Sequence, residues 1–362
     1  MSSHHQTLKR SDYISAESYA LEQERIFHRG WVFVGRSDRL RPGNRTTVDV
    51  AGESVLLTCD LDGTLHAFAN VCRHRGSRLC DGRDDSTQGT LMCPYHAWTY
   101  RLDGRLVATP HLADDEIERA SLPLWRHHLR TWEGFIFVSL AAEPPDFDTW
   151  LRTYGAQLVA LERYGFGNLT VGVTTVSEVA ANWKIIIENY QECLHCARVH
   201  PELTELVPAY RSGWVYEQNR DDGGVTLSRG NSFGFATDRE PPLLPGLSEA
   251  DATSYFGGTG FPNMFIDVTG TSAIVTTLLP NGPASTTVIG EYLFAPSTID
   301  SPDFDPTPIV QFSELVGAQD NLVCERVQRG VSSRSFTTGV LSSKDDEILW
   351  FYEMYRQAMS GH

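Results

Sequence analysis

Four soft metal-binding side chains lie in two short stretches of this 362-residue chain: Cys72-Arg73-His74 and, after eighteen further residues, Cys93-Pro94-Tyr95-His96. Two thiolates and two imidazoles make a complete four-ligand set, which obliges the fold to bring two loops together. Two centres fit it: a tetrahedral zinc, or a two-iron, two-sulfide cluster with both cysteines on one iron and both histidines on the other. The ligand count does not separate them. The context favours the cluster, because the one-residue gap between Cys72 and His74 is tighter than a zinc-knuckle spacing and both loops project from hairpins. Gly76 and Pro94 shape loops whose backbone N–H groups can face sulfide, and Tyr95 and Trp98 can shield it.

The flanking pattern supplies such a scaffold. Short β-type runs follow one another at Trp31–Val34, Thr46–Val50, Ser54–Thr58, Thr64–Ala69 and Gly134–Val138, with hairpin turns at Asp62-Gly63 and Asp103-Gly104. A helix capped by Ser15 and running to about Phe27 precedes them. After Glu143-Pro144-Pro145 the regime changes. Helical spacing runs from Phe147 to Tyr164 and from Trp183, with further helices at Pro308–Gln328 and Lys344–Met359. Strand-like runs lie at Thr170–Val179, Met264–Val268, Ser272–Leu279 and Thr286–Phe294. Strands cluster before and between helices rather than alternating with them, so the class is α+β. The Gly-, Pro- and Ser-rich stretch Asp221–Gly260 reads as a loop that lines or covers a site, and no internal repeat is visible.

A second group of ligand-type residues lies in Asn182-Trp183-Lys184 through Glu188, Glu192, Cys193, His195, Cys196, His200 and Pro201. On one continuous helix, Glu188, Glu192 and His195, four and three positions apart, share a side. His200, five positions beyond His195, points about 140° away on a straight helix. Pro201 disfavours helical geometry at His200, which frees that imidazole to turn back toward His195. Two imidazoles and one carboxylate form the facial triad that holds mononuclear iron(II) with positions left open. If Glu192 has another task, the carboxylate comes from elsewhere. Cys193 and Cys196 form a Cys-x-x-Cys that we read as packing, as we do Cys59 and Cys80; seven cysteines spread along the chain suit a reducing compartment.

Charge and composition remove other classes. Thirty Lys and Arg against forty-six Asp and Glu leave a net charge of −16, the wrong sign for phosphate backbones or anionic lipid. No run approaches the roughly 18 apolar residues of a membrane span, and Met1–Arg10, with His4, His5, Lys9 and Arg10, carries no secretory pattern. A cytoplasmic protein that binds neither nucleic acid nor membrane is expected.

Cys72-Arg-His74-Arg-Gly76 with Cys93-Pro-Tyr-His96-Ala-Trp98 resembles the Rieske motif of the ring-hydroxylating and related oxygenases. The resemblance implies a β-rich Rieske [2Fe-2S] domain over residues 38–140, held by Cys72, His74, Cys93 and His96. It implies a catalytic mononuclear-iron domain over 141–362, a helix-flanked antiparallel sheet of the helix-grip, START-like kind, with an N-terminal helix, 1–37, packing on it. In Gln319-Asp320-Asn321-Leu322-Val323-Cys324-Glu325, Asp320 resembles the third iron ligand after His195 and His200, with Glu325 as the fallback. Glu192 lies where the family carries an acid bridging a cluster histidine, here His96, to the iron histidine His195 of a neighbouring subunit. Ring hydroxylases mostly have Asp there. Glu192, Asn182-Trp183-Lys184, Glu188-Asn189-Tyr190 and Cys324-Glu-Arg-Val-Gln-Arg-Gly330 resemble the branch acting on choline, glycine betaine, carnitine and similar quaternary amines.

That branch implies a monooxygenase that oxidises or demethylates a small quaternary ammonium substrate with O₂, built as a homotrimer or a dimer of trimers. The same machinery on an aromatic or natural-product ring is the alternative. No nucleotide-binding glycine fingerprint follows a strand, so NAD(P)H and flavin belong to a separate iron–sulfur reductase. A quaternary cation can rest on aromatic faces, for which Trp214, Tyr216, Phe233, Phe235, Phe261 and Phe265 are the candidates.

Overall fold

The two regimes of hydrophobic patterning fold as two compact units, Gln23–Thr149 and the pair of segments Met1–Glu22 with Trp150–His362. A computed structural model describes residues 5–84, 89–113, 115–218, 223–238 and 241–361.

In the first unit, short apolar and β-branched runs, buried along most of their length in Glu53–Cys59 and Phe135–Ser139, build a six-stranded antiparallel sheet. Its spatial order is Val32–Arg36, Phe135–Ser139, Arg126–Trp132, Leu65–Ala69, Glu53–Cys59 and Arg45–Val50. Val32–Arg36 pairs with Phe135–Ser139, so the chain after Glu22 belongs to this β unit and not with the N-terminal helix. A second, three-stranded sheet of Thr90–Met92, Thr99–Arg101 and Leu106–Ala108 carries the second Cys–His loop on its first hairpin. These three strands and Arg126–Trp132 escaped the sequence reading, because three-residue strands are too short to show a period and Arg126–Trp132 is mostly polar. Leu56, Phe68, Leu91, Trp98, Tyr100 and Leu124 form the core that also buries Cys72 and Cys93.

The second unit is an antiparallel sheet under helices. Its strands run in the order Thr170–Val179, Ser285–Phe294, Ala273–Gly282, Met264–Val268, Ser254–Gly260 and Val225–Thr226. The helices Trp183–Tyr190 and Thr307–Val331 pack on each other and on this sheet, with Phe312, Phe294, Leu206 and Tyr292 in the core. A fully buried side chain such as Phe312 contributes about 1.5–3 kcal/mol.

Three boundaries differ from the sequence reading. Ser15 does cap a helix, accepting from the Ser18 N–H at 3.0 Å, but α-helix gives way to a π-helical stretch, Gln23–His28. The helical run after Phe147 breaks at Gly155 into Phe147–Tyr154 and Ala156–Ala160. The stretch expected to be loop from Asp221 to Gly260 contains the helix Glu249–Ala252 and the strand Ser254–Gly260, whose Gly-rich composition masked its pairing with Met264–Val268. Asp221, Asp222, Arg239 and Glu240 of that stretch lie outside the described residues, as do Met1–His4.

Candidate functional site

The two Cys–His loops have the same backbone design. The Cys72 N–H donates to the Ser77 carbonyl at 2.8 Å and the Gly76 N–H to the Cys72 carbonyl at 3.0 Å; Cys93 repeats both bonds with Trp98 and Ala97 at 2.8 and 3.0 Å. Each loop closes through a left-handed residue, Gly76 at φ 74° and Ala97 at φ 57°. Both thiols are buried and within hydrogen-bonding reach of one another. Burial pushes the Cys72 thiol up despite help from Tyr100 and the His74 N–H. Burial also opposes ionisation of Cys93, but N–H groups of Tyr95 and His96 and the Ser77 hydroxyl outweigh it and lower that thiol.

The His74 and His96 rings meet at 4.5 Å between centroids, and Trp98 stacks on His74 at 4.7 Å with planes 8° apart. All four predicted residues converge, with sulfurs inward, His74 exposed and His96 half-exposed. Backbone donors already aimed at the sulfurs suit a thiolate-bound iron–sulfur cluster. Tyr100, whose hydroxyl lies 3.4 Å from Cys72 Sγ, was missed; nothing in its strand pattern marks it.

The second group departs from a single helix. Trp183–Tyr190, capped by the Asn182 side chain, ends before Glu192, and a turn separates it from Cys196–Val199. Glu188 therefore faces away from Glu192 and His195 and accepts from the Tyr13 hydroxyl at 2.8 Å. The same turn brings Cys193 and Cys196 to 5.0 Å between Cα atoms, where they form a disulfide, correcting the reading of two packing thiols. His200 sits at φ −121°, ψ 69° between two short helices, the departure from helical geometry that Pro201 demands.

His195, His200 and Asp320 come together with one ligand atom from each within 4.8 Å of the others. Asp320 Oδ1 is 2.9 Å from His200 Nε2 and 3.3 Å from His195 Nε2. Each imidazole is held by its other nitrogen: His195 Nδ1 by Glu192, and His200 Nδ1 by Gln319 Oε1 at 2.7 Å. Such holding fixes both tautomers and aims both Nε2 atoms at one point. Gln319 is in turn fixed by donating to Glu202 at 3.1 Å. Neither was singled out from sequence, although both adjoin marked residues. Burial alone would lower His195, but the Asp320 and Glu192 carboxylates outweigh it and push it up to about 9. Asp320 stays lowered, against its burial, by bonds from both histidines. Two imidazoles and a carboxylate with this convergence fit a mononuclear iron(II). Glu325, the fallback, instead lies 3.9 Å from Arg329 along the helix.

A cavity of about 630 Å³ opens onto these three side chains. Of the predicted aromatics, Tyr216, Phe233 and Phe265 line it. Trp214, Phe235 and Phe261 do not, and pack instead on Tyr216, Phe312 and Tyr154. Tyr190, Tyr210, Tyr255 and Asp267 line it unforeseen. An acid inside the apolar strand Met-Phe-Ile-Asp-Val was the available signal for Asp267.

Residues 30–132 match the Rieske [2Fe-2S] domain family, and residues 166–361 match the ring hydroxylating alpha subunit (catalytic domain) family. The glycine betaine monooxygenase oxygenase subunit of Chromohalobacter salexigens is 30% identical, covering 96% of this chain and 84% of that protein. The carnitine monooxygenase oxygenase subunit of Escherichia coli K12 is 28% identical over 90% of this chain and 84% of its own. A solved quaternary ammonium Rieske monooxygenase superposes with a TM-score of 0.81 at 22% identity, covering 98% of this chain and 96% of that one, and so shares the fold. With two family domains matched across most of its length and a relative of this identity, the chain belongs to the ring-hydroxylating oxygenase alpha subunits, Rieske enzymes whose domains imply a [2Fe-2S] cluster and a mononuclear iron.

Proposed function

We propose that this chain is the oxygenase component of a monooxygenase that oxidises or N-demethylates a quaternary ammonium compound of the glycine betaine, carnitine or choline type. Electrons come from a separate NAD(P)H-dependent flavin and iron–sulfur reductase. The observation that carries the substrate class is the charge of the cavity wall. Among the described residues five acids line it, Glu192, Asp267, Glu314, Asp320 and Glu347, against one Lys or Arg, Arg163, which is already paired with Asp251 at 2.9 Å. Such a wall attracts the permanent positive charge of a quaternary nitrogen, which an aromatic acid lacks.

In this reading Cys72, His74, Cys93 and His96 hold the cluster, and His195, His200 and Asp320 hold the iron. When bound, these groups supply the electrons and activated oxygen that oxidation of a C–H bond beside nitrogen requires. The chain's own side chains do the rest. Glu192 keeps the Nδ1 side of His195 engaged, Gln319 does so for His200, and the aromatic wall seats the substrate and excludes water. Hydroxylation of an N-methyl group gives a carbinolamine, which breaks down to the tertiary amine and formaldehyde. Glu192 as the bridge to His96 of a neighbouring subunit in a trimer is supported by exposure. Leu194, two residues after Glu192, Tyr95, packed against His96, and Met92, next to Cys93, are side chains left 48%, 56% and 62% open to solvent.

Reductase-driven turnover of glycine betaine, carnitine and choline, compared with methoxylated aromatic acids and followed both as formaldehyde, for N-demethylation, and as the aldehyde left by alcohol oxidation or C–N cleavage, tests the reading. Turnover of the aromatic acids alone overturns it. After anaerobic purification, about three irons per chain with acid-labile sulfide are expected; zinc without sulfide overturns the cluster assignment.

A further inference from the structure

Asp267 lies on Met264–Val268 two positions from Phe265, so both side chains stand on the same face of the sheet and line the cavity. The hydroxyls of Tyr190 and Tyr255 donate to its Oδ1 at 2.8 and 2.6 Å. Tyr190 stacks on Phe265, 4.2 Å between centroids and 2° between planes, and Tyr255 stacks on Phe233 at 5.0 Å and 19°. Among the described residues no Lys, Arg or His pairs with this carboxylate. Its cross-strand neighbour is Gly257, where a Cβ would stand 2.9 Å from the Tyr190 hydroxyl and 3.7 Å from Asp267 Oδ1, so glycine keeps this corner open. Burial pushes the carboxyl up to about 6, which leaves it mostly ionised at pH 7.5.

An anion held in a cavity wall by two neutral hydroxyls lacks a compensating charge, and a bound cation would supply it. A quaternary ammonium has no N–H to donate, so it is held by charge and by ring faces. An acid whose Oδ1 is already occupied by hydroxyls, set between two aromatic stacks, has that character. We infer that Asp267, between the Tyr190–Phe265 and Tyr255–Phe233 stacks, is the counter-ion that seats the quaternary nitrogen and makes the cavity select a cation over a neutral compound of the same shape. The inference rests on the proposed substrate class.

The test is calorimetric titration of the full, metal-loaded chain with two matched pairs: choline against 3,3-dimethylbutan-1-ol, and glycine betaine against 3,3-dimethylbutanoate. The wild type binds the cation of at least one pair about tenfold or more tighter than its carbon isostere. Asp267→Asn loses that preference while its affinity for the isostere stays within about twofold, and Asp267→Glu retains part of it. In turnover KM rises more than kcat falls. If the wild type shows no preference for either cation, both the substrate class and this inference fall. If the wild type prefers the cation and Asp267→Asn does so equally, or loses cation and isostere alike, only the role of Asp267 falls. Should Asp267→Asn not fold, a crystal structure of the wild type with the preferred cation decides. Nitrogen against the Asp267 carboxylate and the tyrosine rings supports the inference, and nitrogen elsewhere in the cavity overturns it.

Discussion

Lys184 and Glu22 form an ion pair in which both side chains are 0% exposed, and breaking it should be the costliest polar substitution in the larger unit. Glu22 Oε1 accepts from Lys184 Nζ and from the Tyr355 hydroxyl at 2.8 Å, and Oε2 accepts from Trp183 Nε1 at 2.8 Å. One carboxylate thus ties Ala16–Glu22 to Trp183–Tyr190 and Asp346–Ser360. Glu22→Gln keeps the volume but leaves a buried ammonium without its counter-ion. The ammonium's escape is to lose its proton. From an ordinary value near 10.4, that costs about 4 kcal/mol at pH 7.5 and about 2 kcal/mol at pH 9, in keeping with the roughly 3–5 kcal/mol of a broken buried pair. In a unit of this size, 4 kcal/mol lowers the calorimetric midpoint by roughly 8–16 °C. The deficit should halve between pH 7.5 and 9. Glu22→Gln combined with Lys184→Met removes both charges and should recover most of the loss, a double-mutant cycle measured on the metal-loaded chain. A midpoint within about 2 °C of wild type for Glu22→Gln, or a double variant no better than the single one, refutes the reasoning.

Three further outcomes follow from the same geometry. Burial raises Glu188 to about 7 against an ordinary 4.5, outweighing bonds from Tyr13 and Tyr352 and the Lys184 charge, so the folded state takes up its proton before the unfolded chain does. The associated stability is complete below pH 4.5 and is lost as pH rises through about 7. Discounted for partial exposure, it amounts to roughly 1–3 kcal/mol, and Glu188→Gln should flatten that slope in urea titrations between pH 5 and 8; an unchanged slope counts against it. Gln319→Leu removes the acceptor that aims His200 and should weaken iron binding about 10- to 100-fold while leaving the cluster's absorption spectrum intact; unaltered iron content after dialysis against a chelator would show that Gln319 does not aim His200. Glu192→Gln, with both centres loaded, should cut reductase-coupled turnover by at least about tenfold while sparing substrate affinity, since a bridge acts on delivery and not on binding; undiminished coupled turnover removes Glu192 from the path.

Local chemistry carried much of this protein in its order of residues. Cys72, His74, Cys93 and His96 were legible because ligands on two tight loops must be close in sequence. The break at His200 was legible because Pro201 acts on its immediate neighbour. The strands Thr170–Val179 and Met264–Val268 were legible, the first from its β-branched residues and the second from its apolar ones.

Tertiary structure decided whatever depends on distant segments meeting. Asp320 reaches the two histidines and Glu325 does not, because five positions along the Thr307–Val331 helix turn a side chain by about 140°. Glu188 was assigned to the wrong face because the helix stops at Tyr190 and a turn, not a further helical turn, carries Glu192 and His195. Gln319, Glu202 and Tyr100 take their roles only once the ligands they hold are in place. Asp267 becomes a cavity acid through its pairing opposite Gly257, a register no local pattern encodes. Spacing along the chain determines which groups can share a loop or a turn, while burial and charge compensation, which sum over the whole fold, determine which of them face one another.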